Sequence, residues 1–104
     1  MPLRGATSYL LTGTLTLSGG RSNGVKLVGA RVSVYDALTG RSLQTITSTT
    51  GGAYTITLAP GSYKLFIQPN RGGYVNQWYG GTSLGTAVII NVAANATLNI
   101  PVHP

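Results

Sequence analysis

Thr49-Thr-Gly-Gly-Ala-Tyr-Thr-Ile-Thr-Leu-Ala-Pro-Gly-Ser-Tyr-Lys-Leu65 is the stretch from which the fold is read. Within it Tyr54, Ile56 and Leu58 alternate with Ala53, Thr55 and Thr57. Beyond Ala-Pro-Gly-Ser, the row Tyr63, Leu65 and Ile67 alternates with Lys64, Phe66 and Gln68. Successive side chains of a strand point to opposite faces, so an apolar residue at every second position marks a strand with one face in a core. Pro60 holds its own φ and Gly61 accepts a positive one, which suits the pair to the centre of a type II turn. The expectation is two strands, 53 to 58 and 63 to 68, joined as a hairpin, with Tyr54, Ile56, Leu58, Tyr63, Leu65 and Ile67 as the core row.

The same period extends both ways. Upstream, Tyr9, Leu11, Gly13, Leu15 and Leu17 share one face of a first strand, in which Gly13 marks a bulge or a change of partner. Ser18 to Gly24 is a turn that ends in Asn23-Gly24. Val25 to Val28 lead into a second strand with Ala30, Val32 and Val34 inward and Arg31, Ser33 and Tyr35 outward. Asp36 to Gly40 connects it to the next, and the Asp36 carboxylate suits an Asx turn. The polar strand 42 to 49, built around Leu43 and Ile46, reads as an edge, after which Gly51-Gly52 turn the chain into the opening stretch. Downstream, Asn70 to Thr86 is a glycine-rich loop. Two last strands follow, 87 to 92 with Val88, Ile90 and Val92 inward, and 96 to 102 with Leu98, Ile100 and Val102 inward. Seven strands, turn signals roughly every 8 to 12 residues and no amphipathic helix define the class as all-β, a seven-stranded Ig-like β-sandwich.

The 104 residues suffice for one domain, expected over 9–104 behind a flexible N-terminal arm over 1–8, where Pro2, Gly5 and Thr7 show no period. Without cysteine there are no disulfides and no thiolate metal ligands. The first residues lack the apolar core of a secretory signal, and no apolar run approaches the roughly 20 residues that cross a bilayer, so no membrane span is expected. Seven Lys and Arg against the single acid Asp36 give a net charge of +6, which attracts anionic partners. These basic residues stand singly and form no recognised motif, so no specific nucleic-acid binding is expected.

Catalysis is not expected either. His103 is the sole histidine and sits beside the last residue, Asp36 has no titratable partner for acid and base work, and no serine or threonine has a base to activate it. Calcium needs several carboxylates and zinc needs histidine or cysteine, so neither a metal nor a cofactor is expected. Binding character is concentrated in Asn70-Arg-Gly-Gly-Tyr-Val-Asn-Gln-Trp-Tyr-Gly-Gly-Thr82. Tyr74, Trp78 and Tyr79 offer rings to a sugar face or a protein partner, and Arg71, Asn76 and Gln77 offer the accompanying hydrogen bonds. The competing role for Tyr74 and Trp78 is to fold back and close the open end of the sandwich.

Thr12-Gly-Thr-Leu-Thr-Leu17, Gly29-Ala-Arg-Val-Ser-Val-Tyr-Asp36 and the opening stretch, continued by Gly73-Tyr74 and Gln77-Trp-Tyr-Gly-Gly-Thr82, resemble the carboxypeptidase regulatory-like domains, relatives of the collagen-adhesin B-type repeats. The resemblance implies a seven-stranded prealbumin-like sandwich and a non-catalytic module of surface, periplasmic or secreted proteins. It departs from the family at Thr49-Thr50, where an aspartate is usual, and in having no glutamate. Some adhesin relatives carry a Lys to Asn isopeptide crosslink. Here Lys26, Lys64, Asn91, Asn95 and Asn99 offer the reactants but no strand offers the acid, so no crosslink is expected.

The expected function is therefore a structural or adhesive module that acts through protein contacts or self-assembly on a larger body, with an acidic lattice as a fitting partner. A virion or particle surface, as for a phage decoration or fibre protein, or an extracellular location fits this role. The alternative is a carbohydrate-binding module that takes a glycan on the aromatic loop 70–82.

Overall fold

Alternating apolar and hydroxylated residues place most of the chain in strands, as seen in a computed structural model that describes residues 8–104. Positions 1–7 of the expected arm lie outside the described residues. The strands are β1 (Tyr9–Leu17), β2 (Arg31–Asp36), β3 (Ser42–Thr47), β4 (Ala53–Leu58), β5 (Gly61–Gln68), β6 (Gln77–Trp78), β7 (Ile90–Val92), β8 (Ala96–Thr97) and β9 (Ile100–Val102), with one 3-10 turn at Thr50–Gly52. They form two sheets. The first has the order β4-β1-β8, with β9 also on β1, and the second has the order β3-β2-β5-β6, with β7 also on β5. The all-β sandwich is thus present, and among the described residues no helix is long and apolar enough to cross a membrane.

The core lies between the sheets. Leu11, Leu15 and Leu17 of β1, Val32 and Val34 of β2, and all six residues of the expected core row are buried there. Each such side chain contributes roughly 1.5–3 kcal/mol on burial. The two strands of that row are nevertheless not a hairpin. β4 pairs antiparallel with β1 in the first sheet, Ile56 against Leu11, whereas β5 pairs antiparallel with β2 in the second, Leu65 against Val34. Ala59 and Pro60, both exposed, carry the chain from one sheet to the other. Gly61 does not take a positive φ; it is the first residue of β5, and a Cβ there would lie 3.2 Å from the Tyr63 hydroxyl. That hydroxyl donates to the Ala59 carbonyl and clamps the crossing, much as a tyrosine corner does.

Three further expectations are corrected. The second strand begins at Arg31, and Lys26 makes only an isolated bridge with Thr16. Val88 is not inward: it stands 44% exposed ahead of β7. Lys64, placed outward by the alternation, is only 7% exposed, because the segment after β6 folds over it and the Leu84 carbonyl accepts its Nζ at 2.6 Å.

The last stretch, 96 to 102, runs parallel to β1, Ala96 against Leu11 and Ile100 against Leu15, with a break at Leu98 and Asn99. Gly13 sits opposite that break. A Cβ on Gly13 would lie 1.9 Å from the Leu98 carbonyl oxygen, so only glycine admits the close approach. Asp36 holds its connection as an Asx turn, with Oδ1 accepting from the Leu38 N–H at 3.4 Å and Oδ2 from the Thr39 hydroxyl at 2.8 Å. β3 is an edge strand of the second sheet.

Candidate functional site

The six residues singled out for binding do not form one cluster. Gln77 and Trp78 are not in a loop but in β6, which adds to one half of β5 while β7 adds to the other half. Period two then sends Gln77 and Tyr79 to the inner side and Trp78 to the outer. Trp78 lies against Phe66 with ring centroids 4.8 Å apart and edge-on to Tyr35 at 4.9 Å. It therefore rests on the outer face of the second sheet and does not close the end of the sandwich.

Tyr74 does close it. Its hydroxyl donates to the Gly19 carbonyl at 2.6 Å and accepts from the Ser22 N–H at 3.1 Å, which ties the segment after β5 to the turn after β1. Arg71 joins the same contact, its Nη2 donating to Ser22 Oγ at 3.2 Å. The Gln77 side chain is also committed internally. Its Nε2 donates to the carbonyls of Val75 and His103, and its Oε1 accepts from the His103 N–H at 2.9 Å. The carboxamide thus pairs with the His103 backbone as a neighbouring strand would, and holds residue 103 in place.

Two concave features flank this strand. A groove of about 550 Å³ runs along the side of the sandwich between β6 and the end of the chain, where Gln77, Trp78, Tyr79, Val88, Pro101 and His103 are among its walls. A smaller recess of about 240 Å³ is lined by Arg31, Gln68, Asn70 and Asn76. Asn76 therefore belongs to a different feature from Gln77 and Trp78. Reasoning from the sequence missed Arg31 and Gln68, which join the site through the lateral order of β2, β5 and β6, and Val88 and Pro101, which come to the groove from the segment before β7, where the Val88 N–H donates to the Tyr79 carbonyl, and from β9 of the other sheet. The outward positions of Arg31 and Gln68 in their alternating runs were the one local signal.

Asp36 and Tyr54 lie outside both features. Asp36 is held below the ordinary carboxylate range, first by the Thr39 hydroxyl and then by the Leu38 N–H. The Tyr54 phenol is pushed well above its ordinary value, first by burial and then by the neighbouring Tyr79. Its hydroxyl donates to the Leu98 carbonyl inside the sandwich. Among the described residues no three His, Cys, Asp or Glu side chains come together to hold a metal.

No family model matches the chain, and no curated protein matches it in sequence. Solved structures do match it in fold. A DUF3823 family protein from Parabacteroides merdae superposes with a TM-score of 0.66 at 21% identity, covering 96% of this chain and 48% of that one. The Bacillus anthracis TIE protein superposes with a TM-score of 0.68 at 15% identity, over 92% of this chain and 17% of that one. Catechol 1,2-dioxygenase from Pseudomonas arvilla C-1 gives 0.56 at 11% identity, over 97% and 53% of the two chains. The chain spans about half the length of the first and third of these proteins and 17% of the second. At these identities the likeness is one of fold.

Proposed function

We propose that this chain is a non-catalytic structural or adhesive module, of the carboxypeptidase regulatory-like kind, that works through protein contacts on the surface of a larger assembly such as a virion or an extracellular structure. The observation that carries this reading is a set of apolar side chains left outside the sandwich around the groove beside β6. Val75 and Val88 line the groove at 59% and 44% exposure, and Ile89, the next residue, is 52% exposed. Exposed apolar side chains gathered in one concave feature, as Val75 and Val88 are, form the kind of surface that a protein contact covers. The +6 charge adds an attraction for an acidic partner surface. The single carboxylate, engaged in its own turn, leaves no acid and base pair for catalysis.

A photoreactive residue introduced at Val88 in the native source is expected to form an adduct with a partner protein, and Val75→Asp with Val88→Asp to release the chain from its assembly. No adduct, together with unchanged assembly in the double variant, would refute this reading. Trp78 at the groove wall favours the second reading, a glycan in the groove. Glycan titration of the wild type against Trp78→Ala separates the two, since saturable binding lost with the indole supports the sugar.

A further inference from the structure

On the outer face of the second sheet, the four side chains that line the smaller recess stand without an internal use. Arg31 in β2 is directly opposite Gln68 in β5. β6 sets Trp78 opposite Phe66 and Gln77 opposite Ile67, so one more step of that register brings Asn76 beside Gln68. Asn70, two residues after β5, has φ 57°, a left-handed conformation that asparagine tolerates better than most residues. These four side chains line a recess of about 240 Å³. Gln44, Arg71 and Gln77 have their polar atoms bonded to Thr57, Ser22 and His103. Arg31, Gln68, Asn70 and Asn76 have no such side-chain partner among the described residues.

Their chemistry narrows the ligand. The only carboxylate, Asp36, is at the other end of β2, roughly 17 Å away at about 3.3 Å per residue, and both its oxygens are engaged. Arg31 is therefore an uncompensated cation, and its planar fork matches a carboxylate with two parallel hydrogen bonds. Three carboxamides beside it supply acceptors as well as donors. An anion such as sulfate, which only accepts, would leave those acceptors idle, whereas a ring bearing hydroxyls uses both. The adjacent row on the same face is Phe66 and Trp78, packed on each other with ring centroids 4.8 Å apart, an apolar border to the recess.

We propose that this recess binds an acidic sugar, a uronic acid residue of a polysaccharide, with its carboxylate on Arg31, its hydroxyls on Gln68, Asn70 and Asn76, and its ring edge toward Phe66 and Trp78. The site goes beyond the protein-contact reading and does not depend on it, since Val75 and Val88 take no part.

The test is titration of the folded protein with oligouronates, their methyl esters, the matching neutral oligosaccharides and inorganic phosphate, followed by calorimetry and backbone amide shifts. Saturable oligouronate binding is expected, with the esters and neutral sugars about tenfold weaker or worse. Arg31→Ala and Asn76→Ala are each expected to lose about tenfold or more, the effect of removing one charge-assisted or well-formed hydrogen bond in a small site. Arg41→Ala, an exposed arginine at the opposite end of β3, is expected to bind as the wild type does. Should Arg31→Ala prove unstable, Asn76→Ala decides. Three results overturn the proposal: no saturable binding of any oligouronate, equal response to phosphate, or equal losses from Arg31→Ala and Arg41→Ala, the last of which would assign the effect to bulk charge.

Discussion

Replacing Gly13 with alanine is the sharpest test of the architecture, because the result depends on the parallel packing of the last strand on β1 and not on composition. An added Cβ would lie 1.9 Å from the Leu98 carbonyl oxygen, 2.6 Å from its carbon and 3.0 Å from the Tyr54 ring. The first two are backbone atoms, so the clash is relieved only if residues 98 and 99 move away. Three hydrogen bonds go with them: the Leu98 N–H to the Thr12 carbonyl at 2.7 Å, the Tyr54 hydroxyl to the Leu98 carbonyl, and the Thr14 N–H to Asn99 Oδ1 at 3.1 Å. At about 1 kcal/mol each, their loss costs about 3 kcal/mol before any loosening of Ile100 and Val102 is counted. For a domain of this size that lowers the thermal midpoint by roughly 12–24 °C. Gly51→Ala is the control, since a Cβ there meets nothing within 4 Å and only the φ of 78° is strained. It is expected to cost about 1 kcal/mol, the usual scale for a residue without glycine's freedom at positive φ. Urea denaturation of both variants checks the difference. A Gly13→Ala protein as stable as Gly51→Ala would refute the parallel pairing.

Four more outcomes follow from the same geometry. Ile56→Asp places a charge at a core position that is 1% exposed and is expected to unfold the domain, seen as loss of the cooperative thermal transition; an unchanged midpoint would mean that the strand faces are assigned the wrong way round. Tyr54, whose phenol is pushed up by burial, contributes stability that is fully present below the unfolded phenol value of about 10 and is lost as pH rises above it. Tyr54→Phe is therefore expected to flatten the fall in stability above about pH 10, measured by urea midpoints across pH. At the acid end, Asp36 is the only side-chain carboxylate and its value is lowered, so its small contribution is present above about pH 4 and disappears below it; between pH 7 and 5 the midpoint is expected to stay flat, and a steep loss there would contradict the charge inventory. Tyr74→Phe removes the contacts to Gly19 and Ser22 and is expected to cost about 1–2 kcal/mol without touching the two concave features, which thermal melts and the binding titrations check together.

Period-two alternation reports which side chains face a core and says nothing about which strand lies alongside. That is why Tyr54, Ile56, Leu58, Tyr63, Leu65 and Ile67 were legible as a buried row while the hairpin they suggested was not formed. A strand turning back beside its neighbour and a strand crossing to the opposite sheet bury the same residues, and Pro60-Gly61 serves either path. Gly13 illustrates the legible side of this division, since a glycine inside an apolar run marks a bulge or a change of partner, and at Gly13 the parallel partner of β1 passes from β8 to β9. Lys64 illustrates the other, because the Leu84 carbonyl that buries it belongs to a segment 20 residues away with no periodicity of its own. The candidate site follows the same rule. Trp78, a loop ring by sequence, is a strand residue on the outer face, and Asn76 has a role only beside Arg31 and Gln68, which reach it through the lateral order β2-β5-β6. A surface assembled across three strands has no linear signature, so the residues that carry a binding role in a sandwich of this kind are found from pairing register, and single substitutions at Arg31 and Asn76 test that register and the ligand together.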